Sequence, residues 1–178
     1  MHYISTRNNK LKESFLHTLF QGLSKEGGLF LPDVWPSIPI ESLKGKKYQD
    51  IAHAVIYPFV KDIVSKHELI SILKNTYKNF DNDNVAALVN IEKNKYILEL
   101  FYGPTFAFKD YALQFLGNLF SHVMQNSNKN ITILGATSGD TGSAAIEAFK
   151  GKKNINVFIL HPHNMVSDVQ RRQMTTVT

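Results

Sequence analysis

The sequence has 178 residues, 43% hydrophobic and 20% charged, which suits one globular domain, or one and a fraction, and excludes a disordered chain. The net charge is +5 and the pI about 9.3, with the lysines spread along the chain; nucleic-acid binding gets only a weak hint, and a basic surface equally suits a small phosphorylated substrate. Cysteine is absent, which rules out disulfides, a thiolate nucleophile and cysteine metal sites.

Met1 is followed by polar residues, and no apolar stretch is long enough for a signal peptide or a membrane span, so no membrane partner is expected and the cytoplasm is the default location. Residues 1–9 read as a short extended entry. Ser14–Gln21 carries apolar residues at 15, 16, 19 and 20, a helical stripe, with Gly22 as its stop. Gly27–Pro32 reads as a glycine turn entering a short strand closed by proline, and 36–39 as loop. A second helix is predicted over Tyr48–Tyr57, with Pro58 ending or kinking it. Ser65-Lys66-His67-Glu68 has capping-box spacing and opens a third helix through Leu69, Ile72, Leu73 and Tyr77. The turn-rich Asp81–Asn84 marks a boundary, so residues 1–84 are expected to form a helical and extended N-terminal portion and 85–178 the beginning of an α/β core.

Val85–Asn90 and Lys95–Leu100 suggest strands, and Tyr111–Met124 a strong amphipathic helix with Asp110 at or next to its N-terminus. Just before that helix lies Lys109, among Phe101, Tyr102, Phe106, Phe108 and Tyr111. Two readings of this lysine stand side by side. Burial beside apolar rings disfavours the ammonium form and suits attack on a carbonyl; equally, the methylene stem lies along aromatic surface while the charge reaches water.

Asn130–Leu134 and Ile155–Leu160 read as strands, with a helix over Ser143–Phe149 and the loop Gly135–Gly142 between. This order implies a parallel sheet with a right-handed crossover, and a loop that aims backbone N–H groups at an anion. A P-loop is excluded for want of its lysine, and the glycine spacing together with His161-Pro162-His163 after the second strand fits a dinucleotide fold poorly. Tight helix entry explains Gly135 and Gly142 but does not call for Ser138, Asp140 and Thr141 crowded together, which suit a polar substrate loop.

Gly103-Pro104-Thr105-Phe106-Ala107-Phe108-Lys109-Asp110 and Ala136-Thr137-Ser138-Gly139-Asp140-Thr141-Gly142 together resemble the lysine site and substrate loop of pyridoxal-phosphate enzymes of the tryptophan-synthase-β fold (fold type II), and among them the threonine synthases. Tyr3–Arg7, Gly27–Pro32 and Gln170–Thr176 extend the resemblance over nearly the whole chain. It implies an open parallel sheet and a Schiff base between Lys109 and pyridoxal 5'-phosphate, with conversion of O-phosphohomoserine and water to L-threonine and phosphate. It places Phe108 and Asp140 with Lys109 at the cofactor, and Thr137, Ser138, Gly139, Asp140 and Thr141 at the substrate. Asp140 needs hydrogen-bond donors, or a proton, to sit beside another anion. Family members are far longer than this chain, and their second glycine-rich loop, which grips the cofactor phosphate, and the residue at the pyridine nitrogen are not recognisable here. The chain therefore reads as an N-terminal fragment, the enzyme being its full-length parent and the fragment alone inactive or nearly so.

His161 and His163 are two apart with no third ligand nearby and read as loop residues, so no metal is expected. Arg171 and Arg172 suit a substrate phosphate or a solvent-facing helix equally. Another fold-type-II lyase, such as a threonine or serine dehydratase, and a non-catalytic binding protein on the same scaffold are the alternatives; the oligomeric state is not legible.

Overall fold

The computed structural model describes residues 1–125 and 127–177. Cα packing divides the chain into two units, Met1–Ser71 and Ile72–Thr178, the division falling inside a helix. The Asp81–Asn84 turn lies within the second unit.

In the first unit, Tyr3–Ser5 (β1) pairs antiparallel with both Asn8–Glu13 (β2) and Phe30–Pro32 (β3), giving the order β2-β1-β3. Phe15–Gln21 (α1) starts where Ser14 Oγ accepts the His17 N–H (3.2 Å) and stops at Gly22, whose φ of 71° is left-handed. A 3-10 turn over Ile40–Leu43, which sequence reading leaves unassigned, precedes Tyr48–Val60 (α2). Pro58 does not end α2 at Tyr57: the helix runs to Val60, because so near a C-terminus a proline removes a single ladder bond. The trailing carbonyls are satisfied from elsewhere, Tyr57 O by the Lys61 N–H (3.0 Å) and Phe59 O by the Tyr3 hydroxyl (3.1 Å). Lys66–Tyr77 (α3) has both halves of its capping box, Glu68 Oε2 accepting the Ser65 N–H (2.8 Å) and Ser65 Oγ accepting the Glu68 N–H (3.3 Å).

The second unit has α/β character. Ala87–Glu92 (β4) and Lys95–Glu99 (β5) form an antiparallel hairpin. Val85 is not in the first strand as expected; it is buried in the preceding turn with φ 64°. Asp110–Met124 (α4) follows, then Ile131–Ala136 (β6), Asp140–Phe149 (α5), Ile155–Leu160 (β7) and Asp168–Thr175 (α6). β6 and β7 pair in parallel from Ile131↔Ile155 to Ala136↔Leu160, the predicted strand–loop–helix–strand unit. The helix between them begins three residues earlier than predicted, so Asp140, Thr141 and Gly142 form its first turn.

α4 and α5 approach closely because Gly117 has no side chain; a Cβ there would strike the Ala148 carbonyl. Leu119, Phe120, Ala145, Ala148 and Phe149 are buried, with the Phe120 and Phe149 rings edge-on at 5.8 Å. Burial of Leu119 alone is worth about 2 kcal/mol. This helix pair carries the Lys109 loop and the Thr137–Thr141 loop at its N-terminal ends.

Candidate functional site

Lys109 is the N-cap residue of α4, as the loop-to-helix reading requires. The loop before it is held by Asp110, which is wholly buried and accepts the Thr105 N–H and the Thr105 hydroxyl, each at 2.8 Å. Burial pushes the Asp110 carboxyl above the usual range, and the Thr105 donors oppose that shift. A Cβ at Gly103 would collide with this carboxylate, which accounts for the glycine. Phe106, at the tip, has φ 61°, an uncommon and strained conformation for a non-glycine residue.

Of the five aromatic residues near Lys109 in sequence, Phe108 meets it: Nζ lies 4.4 Å from the ring centroid, a cation–π distance. The others disperse. Tyr111 donates its hydroxyl to Val85 O (2.6 Å) and packs on Phe80, and Tyr102 bonds Glu99, while Phe101 and Phe106 are exposed. Among the described residues the Lys109 amine, half-buried, has neither a carboxylate partner nor a hydrogen bond. Among the described residues no closed aromatic cage forms; an available amine over one ring is what the fold presents.

The second loop follows β6, at the carboxyl end of the parallel strands, where open α/β sheets place ligands. Its five candidate residues divide by what they already touch. Thr137 Oγ1 accepts the Gly139 and Gly142 N–H groups (3.2 Å each), so that hydroxyl caps α5. Asp140 Oδ1 accepts from Gln170 Nε2 at 2.5 Å, which supplies the donor its position called for. Ser138 and Thr141 are exposed, and their hydroxyls have no hydrogen-bond partner among the described residues. A Cβ at Gly139 would lie 2.6–2.7 Å from the Gln170 amide, so a side chain there would push that amide aside. The α5 N-terminus thus offers two open hydroxyls and the positive end of a helix dipole, a suitable seat for a carboxylate.

Lys109 and the 137–141 loop make no direct hydrogen bond among the described residues; both loops are instead met by α6. Gln170 reaches Asp140, and Gln173 Nε2 donates to Thr105 O at 3.4 Å. Sequence reading placed both glutamines in a matching tail but gave them no role, and the signal it had was only their spacing on one helix. Arg171 and Arg172 are exposed, Arg171 pairing with Asp168 at 3.5 Å, so α6 turns them to solvent. A cavity of about 400 Å³ lined by residues including Thr76, Gln114 and Asn118 takes Pro104 from the lysine loop but none of the candidate residues. Among the described residues no three His, Asp or Glu side chains group as metal ligands, and no helix is long and apolar enough to cross a membrane.

Residues 2–77 match the family model described as "Threonine synthase N terminus". The chain is 46% identical to a threonine synthase of Pseudomonas aeruginosa, over 99% of this chain and 38% of that protein. It is 43% identical to a threonine synthase of Schizosaccharomyces pombe, over 99% of this chain and 37% of the relative. Among solved structures, a PLP-bound threonine synthase from Brucella melitensis superposes with a TM-score of 0.91 at 43% identity, covering 98% of this chain and 38% of that one. A threonine synthase from Escherichia coli superposes at 0.89 with 31% identity, over 100% of this chain and 41% of that one. The chain thus spans about 38% of the length of the curated relatives it matches.

Proposed function

Over the 178 residues it spans the chain belongs to the threonine synthase family, and on that premise we propose that it carries the lysine and substrate loop of a pyridoxal-phosphate-dependent lyase that converts O-phosphohomoserine and water to L-threonine and phosphate. The observation that supports this reading most is the Lys109 amine, held at the start of α4 over Phe108 and free of any carboxylate among the described residues. The residues present fit one side of the cofactor: a lysine able to hold its aldehyde carbon and an aromatic ring beside that lysine. When bound, pyridoxal phosphate supplies an electron sink for carbanion chemistry.

This chain's own residues do the rest. Lys109 moves protons at the reacting carbons, a role that needs an amine within reach and not committed to an ion pair. Ser138 and Thr141, with backbone N–H groups of the α5 N-terminus, bind and orient the substrate carboxylate. Thr137 and the Asp140 carboxylate, expected from sequence among the ligands, act in this reading by shaping the loop. The cytoplasm is the proposed compartment, as befits an amino-acid biosynthetic step, and the 178 residues alone are proposed to lack activity.

The test is reductive trapping. The protein is mixed with pyridoxal phosphate, reduced with borohydride, digested and mapped by mass spectrometry. The expected result is a phosphopyridoxyl group confined to Lys109 and lost in Lys109→Ala, with phosphate released from O-phosphohomoserine by the full-length protein. Labelling scattered over many lysines in that full-length protein, or turnover of threonine or serine without phosphate release, would overturn the reading.

A further inference from the structure

We infer that α6 is a positioning clamp, in which Gln170 and Gln173 tie the first turn of α5 to the Lys109 loop and so set the separation of the two halves of the site. The inference rests on the functional reading above only for its consequence in catalysis; the clamp itself stands on geometry. α6 is a polar helix of eight residues with Met174 as its buried anchor. Burial alone does not explain its placement. Its fixed contacts lie instead at Gln170, Gln173 and Met174, spaced i, i+3 and i+4, which puts all three on one side of the helix.

Each contact meets a residue already committed to one of the loops. Ser167 Oγ caps the helix by accepting the Gln170 N–H (3.3 Å) and pairs with Gln170 Oε1 (2.9 Å), so the Gln170 amide is oriented with Nε2 toward Asp140 Oδ1 (2.5 Å). The same amide packs flat on Gly139, and the Met174 sulfur lies where a Gly142 side chain would be, 2.7 Å from its ideal Cβ. One turn along, Gln173 Nε2 donates to Thr105 O (3.4 Å), and Thr105 is the residue whose N–H and hydroxyl hold Asp110, next to Lys109. A continuous chain of contacts therefore runs from Asp140 through α6 to Thr105, Asp110 and the lysine. Gln170 and Gln173 are positioning residues, each acting through the loop it holds.

Hydrogen exchange and steady-state kinetics on the full-length protein test the clamp. In Gln170→Ala, amide exchange is expected to accelerate at residues 139–143 and also across 103–110; in Gln173→Ala it is expected to accelerate at 103–110 and also at 139–143. Phosphate release should fall between about ten- and a hundredfold in kcat/KM, the scale of a small misplacement, with Lys109 trapping retained. The swap Gln170→Glu with Asp140→Asn restores an amide–carboxylate pair with donor and acceptor exchanged, and should recover exchange protection lost in Gln170→Glu alone or Asp140→Asn alone. Exchange that changes only at the loop whose own bond was removed, or a swap that recovers nothing, would sink the clamp. Coupled exchange in a protein that neither traps cofactor at Lys109 nor releases phosphate would leave the clamp standing and remove the functional reading instead.

Discussion

Asp110 is the residue on which the lysine loop closes, and its charge state governs how firmly. A carboxyl whose folded pKa is raised binds its proton more tightly folded than unfolded. Its contribution to stability is therefore greatest below its unfolded value and is lost as pH rises through the folded one. The Thr105 hydroxyl (2.8 Å) works against this by favouring the carboxylate. Thr105→Val should cost about 1–3 kcal/mol at neutral pH by withdrawing a donor from a buried charge. It should also raise the Asp110 midpoint further, so that the deficit shrinks as the solution is acidified and the carboxyl protonates. Denaturant unfolding across pH, with carboxyl NMR titration of Asp110, checks both; a deficit that stays constant from neutral to acid pH would refute the account. The candidate site's residue types are legible in sequence because lysine, hydroxyls and glycines at a helix entry carry a chemistry of their own. Which hydroxyl stays open is not: Thr137 and Ser138 are neighbours of similar chemistry, and only the fold turns one onto the Gly139 and Gly142 N–H groups and leaves the other exposed.

At the scale of elements, local chemistry wrote most boundaries. Ser14, Gly22 and the Ser65–Glu68 box each act through groups within four residues, so a sequence window contains the whole cause. Misreadings arose where the cause is remote. α2 continues past Pro58 to a C-terminal turn whose Phe59 carbonyl is met by Tyr3, fifty-six residues away in sequence. The α5 start is misread from sequence because Asp140 and Thr141 look like loop residues until Thr137 accepts the Gly142 N–H and Gln170 donates to Asp140 in the first turn. The Tyr3 contact has a pH signature. Burial, with Asp62 and Asp33 nearby, pushes the Tyr3 phenol up to about 12 from its ordinary 10. The folded state favours the neutral phenol, so this stability is complete below pH 10 and is lost as pH climbs from 10 through 12. Tyr3→Phe should lose about 1 kcal/mol near neutral pH with the hydrogen bond. Above pH 10 its disadvantage should shrink and then reverse, by up to about 2–3 kcal/mol in total, since each pKa unit is worth about 1.36 kcal/mol. Parallel unfolding curves for the two proteins across the alkaline range would contradict this placement of the phenol.

For the whole molecule the telling feature is a sheet with one face uncovered. β6 and β7 read Ile-Thr-Ile-Leu-Gly-Ala and Ile-Asn-Val-Phe-Ile-Leu, apolar in both phases, the pattern of parallel strands buried on both sides. α5 packs on one phase. On the other, Leu134, Phe158 and Leu160 are 68%, 59% and 60% exposed. Each such side chain gains about 1.5–3 kcal/mol when buried, so the face is a strong driver of association. The 178-residue chain, which spans about 38% of the length of its relatives, is expected to bind an apolar dye and to self-associate with rising concentration. Leu134→Ser with Phe158→Ser should reduce both effects while leaving the helical circular-dichroism signal in place, because neither side chain lies in the packed α4–α5 layer. A chain carrying the further length of those relatives should bind less dye, having more polypeptide with which to cover the face. Sedimentation across a wide dilution series decides the matter: a monomer throughout, with no dye bound, would mean that three exposed apolar side chains on adjacent strands are too dispersed to act as one patch.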